Sequence, residues 1–321
     1  MKQRTKEILL AIFLGAIVPA LVFRIVQECL LTNDKKEELL QPQQEVTQAL
    51  TQQVIPVLLK DDSIVMMDLE AYITAVVLAE MPVEFETEAL KAQAVVARTY
   101  ALKRYVTGNK HPQRAVCTES DCCQAFCEDI QSAKSEDSIL KVQNAVRETD
   151  NQVLVFENQL IEATYFSCSG GRTEDAVAVW GEEIPYLRSV ESPGEEKSAH
   201  FVETVSFTSE EFCAKLDRVL SGVPSQWIGD ITYTPGGGVE TVYIDGKAYS
   251  GVQLRSLLGL PSTAFLITGA GDAVTVTTKG FGHRVGMSQY GADAMAAQGS
   301  TYEEILAHYY PGTTLQVWPY N

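Results

Sequence analysis

The chain has 321 residues, 45% of them hydrophobic and 8% aromatic, with 42 acidic against 25 basic side chains and a formal net charge of −17. That length and apolar content suffice for a sizeable core and for more than one lobe. The charge excludes nucleic acid as a partner: phosphates would be repelled, and no basic stripe with interleaved aromatics occurs, whereas a neutral glycan is compatible with it.

Residues 1–7 are polar and net basic, and Ile8 to Phe23 is an uninterrupted apolar run with Ile25 and Val26 beyond Arg24. Snorkelling by Arg24 extends the run towards spanning length, so 8–26 reads as one retained transmembrane anchor with residues 1–7 in the cytoplasm. A cleaved signal peptide is the rival, but the following VFRIVQECL is bulky and offers no small-x-small site. Residues 27–53 are rich in Gln, Glu, Asp and Lys, carry Pro42 and lack aromatics, which reads as a polar stalk. The part from 54 to 321 would then be an extracytoplasmic domain held at the cell membrane.

Ile55 to Leu59 and Ile64 to Met67 flank Lys60-Asp61-Asp62-Ser63, a hairpin pattern leading into a helix. Asp68 is an N-cap, and Leu69, Tyr72, Ile73, Val76 and Val77 recur at helical spacing. Steps of four from Tyr72 reach Val76 and then Glu80, so one acid lies on the apolar stripe, and Pro82 ends the helix just beyond it. An apolar setting and the negative end of the helix dipole both disfavour the ionised carboxylate, which is what a general acid near neutral pH requires. The plain alternative is a surface Glu closing a helix.

A second helix runs from about Thr87 to Tyr105 with the stripe Leu90, Ala94, Ala97, Ala101 and Tyr105. Lys91 and Arg98 project from one side of it with Gln93 beside them. Cations among small alanines, just after a candidate acid, read as hydrogen-bond donors for a polar ligand; solvated cations are the ordinary alternative.

Next comes GNKHPQRAVCTESDCCQAFCEDIQS, holding four of the seven cysteines. His111-x5-Cys117-x4-Cys122-Cys123 supplies the four closely spaced ligands that a structural zinc needs, with Cys127 as a spare. Disulfides compete in an oxidising compartment, although vicinal cysteines pair poorly with each other. Ile139 to Arg147 reads as a short helix, and Val153–Phe156 with Leu160–Tyr165 as a hairpin. That hairpin delivers Ser167-Cys168-Ser169-Gly170-Gly171, where two glycines beside Ser167 and Ser169 let a backbone approach a ligand and expose amide donors, or simply make a turn. Tyr186, between Pro185 and Leu187, offers an aromatic face to a sugar ring. Residues 200–275 change character, with a strand, a capped helix, a Gly-rich hairpin and another short helix, and read as an accessory lobe. Last, Gly280 to Gly299 is a Gly-rich turn entering a helix, where His283, Ser288, Gln289 and Tyr290 offer polar contacts and Tyr302 to Pro311 closes the chain. The whole predicts an α+β class of mixed helices and antiparallel strands in two lobes.

Three ordered stretches, LEAYITAVVLAEMPVEFETEALKAQAVVARTYAL, YFSCSGGRTEDAVAVW and GFGHRVGMSQYGADAMAAQG, resemble the signature of the stage II sporulation protein D family, a bacterial cell-wall enzyme family. The likeness runs from about Val54 to the C-terminus. It implies a lytic transglycosylase acting on the MurNAc–GlcNAc β-1,4 bond of peptide-stripped peptidoglycan, with Glu80 as acid and base. Lys91, Gln93, Arg98, Ser169 and Tyr290 would bind the glycan. It also implies a membrane-anchored wall amidase as partner, during septal thinning and engulfment of the forespore. Some relatives hold zinc in the cysteine loop with a mixed His/Cys set; here Cys122 stands where a second histidine is expected. Arg284 replaces the middle glycine of the usual Gly-His-Gly-Val-Gly-Met turn, which would alter the lip of the cleft. Chemistry favours the same reading, because a hydrolysing glycosidase needs two carboxylates and only Glu80 has a distinctive setting. Relatives with these motifs that enhance amidases supply the non-catalytic alternative. A Cys168 nucleophile with His283 as base has no Asn or Asp partner to assign.

Overall fold

The structure, a computed structural model, describes residues 53–319. The expected anchor at 8–26 and all but the last residue of the stalk lie outside the described residues, among which no helix is long and apolar enough to cross a membrane.

Strands β1 (Val54–Leu58) and β2 (Ile64–Asp68) lead into α1 (Leu69–Glu80), whose N-cap Asp68 accepts from the Ala71 N–H at 2.9 Å. Leu69, Tyr72, Ile73, Val76 and Val77 are all buried, as their spacing requires. Met81 is extended, Pro82 follows, and α1 stops with Glu80 as its last residue. Helix α2 (Thr87–Thr107) is the spine of this region. It is buried from Ala89 to Leu102 except at Lys91, and its alanines let neighbours close in from several sides: α1, α3 (Glu136–Glu148), α6 (Gln289–Ala297), α7 (Tyr302–Tyr309) and β4 (Gln152–Phe156). A helix covered on every side is a core element, and the polar groups it carries inward must find partners there.

The class is mixed α+β with antiparallel sheets, among them β14 (Thr314–Val317) against β4 and β4 against β5 (Gln159–Leu160). Two pairings differ from the expected antiparallel pattern. Strand β3 (Val116–Cys117) runs parallel to β1, and β6 (Tyr165–Phe166) runs parallel to β13 (Met287–Ser288). The second pairing sets Met287 opposite Tyr165 and so joins the two later sequence motifs. Gly286 makes that approach possible: its φ is +85°, and a Cβ there would run into the Thr164 carbonyl oxygen.

The segment expected as an accessory lobe contains β7 (Val202–Thr208), α4 (Ser209–Leu216), β8 (Ile228–Tyr233), β9 (Val239–Ile244), β10 (Lys247–Ser250), α5 (Gly251–Leu258), β11 (Phe265–Ala270) and β12 (Ala273–Lys279). Two antiparallel sheets, β11-β12-β7 and β10-β9-β8, enclose an apolar cluster drawn from this segment, with Phe212, Val242, Leu254 and Val274 at its centre. By backbone contacts, Ile55–Asn321 is nonetheless one unit.

Candidate active site

Glu80 sits where α1, β6, the start of α6 and the cysteine loop meet. Its Oε1 accepts from the Ala125 N–H at 2.6 Å and from the Tyr165 hydroxyl at 2.9 Å. Burial pushes its pKa up. The Ala125 and Tyr165 donors pull against that by favouring the ionised form, as does the nearby Gln289 amide. None of these groups is an acid. Gln289 Nε2 is itself buried and makes no hydrogen bond within the described residues. Tyr290, next in line, packs its ring edge-on against Phe85 at 5.0 Å between centroids, and its N–H bonds to the Ser167 carbonyl.

Behind Tyr165 lies a buried chain of hydrogen bonds. The Tyr72 hydroxyl donates to Gln124 Oε1 at 3.2 Å, and Gln124 Nε2 donates to the Tyr165 oxygen at 3.2 Å. Gln124 is wholly buried. Ala125 and Gln124 belong to the cysteine loop, so that loop touches the acid directly and through Tyr165.

Other residues expected to bind a ligand are placed elsewhere or engaged. Arg98 is fully buried, and all five of its N–H donors are bonded: two to the Glu70 carboxylate at 2.8 Å each, and the rest to Thr149 and the carbonyls of Gln152 and Val146. It pins α2 to α1 and α3 and keeps nothing for a ligand. Lys91 forms ion pairs with Glu88 and Glu148, each at 2.8 Å, and its hydrogen bonds to these acids hold its pKa up. Gln93 is buried with both amide atoms unpartnered among the described residues. Tyr186 is a core residue: its ring packs on Phe156, and its hydroxyl accepts from the Glu162 N–H.

Ser169 and Ser288 are claimed by a carboxylate the sequence did not reveal. Glu195 is fully buried and takes six hydrogen bonds. Oε2 accepts from the Cys168 thiol, the Ser169 N–H and hydroxyl and the Gly170 N–H; Oε1 accepts from the Ser192 and Ser288 hydroxyls. This ties the Ser-Cys-Ser-Gly-Gly turn to the start of α6. Arg284 is also turned inward. It adopts φ +65°, the left-handed conformation that ordinarily favours glycine. Its guanidinium bonds to the carbonyls of Ser169, Arg172 and Gly236, beside Glu174, so it braces the interior instead of reshaping a cleft lip.

His283 lies between the rings of Phe166 and Trp180 and accepts from the Val285 N–H through Nδ1. Burial, then the positive charge of Arg255, lower its pKa to about 4. Cys168 is pushed up to about 12 by burial and the neighbouring Glu195 charge. A neutral, weakly basic imidazole and an unactivated thiol do not make a nucleophilic pair.

The cysteine loop gathers His111, Cys117, Cys122 and Cys123 so that their ligand atoms all lie within 4.8 Å of one another. His111 Nε2 is 3.1 Å from Cys122 Sγ, and the Cys122 and Cys123 sulfurs are 3.9 Å apart. Zn–S bonds of about 2.3 Å in a tetrahedron put ligands roughly 3.8 Å apart, so the set fits one zinc ion. Cys127 is outside the group, and each described cysteine is free of disulfide bonding. The sequence could not have shown Glu195 or Gln124, polar residues in polar stretches most of whose partners come from 25 or more residues away; Tyr165 had one signal, as the strand residue opening the second motif.

The sequence profile of the stage II sporulation protein family matches residues 60–156. The chain is 42% identical to stage II sporulation protein D of Bacillus subtilis (strain 168) over 255 residues, 77% of this chain and 74% of that one. It is 43% identical to the protein of the same name from Bacillus amyloliquefaciens over 255 residues, with the same coverage. A Bacillus subtilis (strain 168) amidase enhancer is 30% identical over 291 residues, covering 74% of this chain and 39% of the enhancer.

Proposed function

We propose, since the chain belongs to the stage II sporulation protein D family, that it is a lytic transglycosylase of the sporulation septum. It would cleave the MurNAc–GlcNAc β-1,4 bond of peptide-stripped peptidoglycan and leave 1,6-anhydro-muramic ends. The observation that carries this reading is the setting of Glu80: an acid of raised pKa whose proton affinity is set by burial, two hydrogen-bond donors and the nearby Gln289 amide, none of them a carboxylate.

A single acid suffices for this reaction. Protonated Glu80 donates to the glycosidic oxygen as the bond to the anomeric carbon breaks. The resulting carboxylate takes the proton of the muramic 6-hydroxyl, whose oxygen closes on the same anomeric carbon. The proton count returns to its start, and no water is consumed. Intramolecular closure has a high effective molarity, worth up to about 10 kcal/mol of barrier in good cases. Because the acid must begin protonated, the rate falls as pH rises through the raised pKa of Glu80.

His111, Cys117, Cys122 and Cys123 would hold a structural zinc. When bound, it supplies a cross-link that fixes the loop carrying Gln124 and Ala125. Residues 8–26 would anchor the protein in the membrane with 1–7 in the cytoplasm, 27–53 as stalk and 54–321 outside, where residues 200–275 form the accessory lobe of a two-lobed domain. A membrane-anchored wall amidase would supply the stripped strands.

The similarity to an amidase enhancer favours a second reading, wall binding that activates an amidase without cleavage. One experiment separates the two. Purified protein and its Glu80→Gln variant are incubated with peptide-stripped and peptide-bearing strands, and the ends are identified by mass spectrometry. Anhydro ends from the wild type alone support the transglycosylase; binding without cleavage by either protein supports the enhancer.

A further inference from the structure

Glu80 receives two hydrogen bonds, and the direction of one of them is decided elsewhere. A carboxylate oxygen has two in-plane lone-pair positions, and Oε1 fills both with the Ala125 N–H and the Tyr165 hydroxyl. The amide donor has a fixed direction. The phenol does not, because an O–H next to a carboxyl group can donate to a carboxylate or accept from a carboxylic acid. Gln124 removes that freedom. Its Nε2 gives a proton to the Tyr165 oxygen, so the one hydroxyl proton of Tyr165 is directed to Glu80. Gln124 Oε1 accepts in turn from the Tyr72 hydroxyl, so the three hydrogen bonds run in one direction, from Tyr72 to Glu80.

From this chain we infer that Gln124 is a positioning residue for Glu80: it makes Tyr165 a donor, keeps Oε1 free of hydrogen, and assigns the transferable proton to Oε2. The inference rests on the reading of Glu80 as the general acid. Its value to such an acid is that one oxygen stays fixed to the protein while the other carries the proton to the substrate and receives it back. A proton able to move between both oxygens would be presented to the glycosidic bond only part of the time.

The groups facing Glu80 leave the chain of donors to dominate. Tyr165 from β6 and Tyr72 from α1 are buried phenols held neutral by desolvation, and Gln289 from α6 does not titrate. The Cys117 and Cys123 thiols act on Tyr72, one step further from the acid.

Titration of the Glu80 carboxyl carbon by NMR in the full chain tests this, with the signal identified by its loss in Glu80→Gln. Gln124→Met keeps the side-chain length and removes both polar groups. Tyr165 can then accept a proton from neutral Glu80, so the titration should move to higher pH, as it should in Tyr165→Phe. Gln124→Met should add no further shift in the Tyr165→Phe background, because it acts through that hydroxyl. Tyr72→Phe should give a smaller shift of the same sign and serves if Gln124→Met does not fold. The alkaline limb of the rate–pH profile, where the rate falls as Glu80 ionises, should move with the titration. An unchanged titration in Gln124→Met, or in Tyr72→Phe should the former not fold, would overturn the inference, as would a full additional shift on top of Tyr165→Phe. An inactive wild type with the expected shifts would instead overturn the reading of Glu80 as the acid of a transglycosylase, since the titration needs no substrate.

Discussion

Two enclosed carboxylates in this molecule have opposite surroundings. Glu195 is fully buried and saturated, with six donors spread over both oxygens and drawn from three segments of chain. Glu80 is part-buried, with two donors on a single oxygen and a desolvation cost that they do not fully offset. Donor saturation makes a buried acid a structural tie. Incomplete saturation leaves it with a raised proton affinity and one oxygen available to react. The same distinction sorts the cations: Arg98 has five donors and five acceptors, which places it in the framework although its spacing suggested a ligand contact.

Substitutions sharpen that contrast. Glu195→Ala should have the largest effect on the fold, since it leaves buried donors without an acceptor. A loss of about 5 kcal/mol or more is expected in denaturant unfolding, against little or none for Glu80→Gln. Equal losses would erase the distinction between tie and reactive acid. Next is metal removal. At a thousandfold excess over Kd, zinc should stabilise the protein by about 4 kcal/mol, read as a fall in Tm on chelation that is absent in Cys122→Ser. One zinc per chain by elemental analysis should accompany it.

Arg98→Met should cost about 3 kcal/mol by leaving the part-buried Glu70 carboxylate without its partner and removing the donors to Thr149, Gln152 and Val146. Glycan affinity per folded molecule should stay unchanged; a selective loss of binding would restore Arg98 to the site. The smallest effect concerns His283. Its folded pKa of about 4 lies below the unfolded 6.5, so its contribution is fully present above pH 6.5 and is lost as pH falls through 4. That contribution should be about 2 kcal/mol, discounted for the partial exposure of the ring. His283→Gln should narrow the stability difference between pH 7 and pH 4 by that amount.

The sequence carried the local part of this architecture. The Asp68 cap, the fourfold spacing from Tyr72 to Glu80 and the Pro82 stop define α1 as it stands, because caps, periodicity and proline act over a few residues. The close spacing of His111, Cys117, Cys122 and Cys123 is local in the same sense. Which way a polar side chain points inside a packed helix is not local. Alanines around Arg98 describe a close approach equally well whether the neighbour is a ligand or Glu70. Ser169 and Ser288 read as ligand donors because their acceptor, Glu195, lies 26 residues after one and 93 before the other. Parallel pairing of β6 with β13 brings residues about 120 positions apart into register, and no short-range pattern records it.

In the proposed reaction Glu80 cleaves glycan strands without water. Digesting peptide-stripped strands with the wild-type protein in oxygen-18-enriched water tests it most directly. The expected products are 1,6-anhydro-muramic ends carrying no oxygen-18, with none of them from Glu80→Gln. Reducing ends labelled with oxygen-18 would contradict it and would require a second carboxylate at the site.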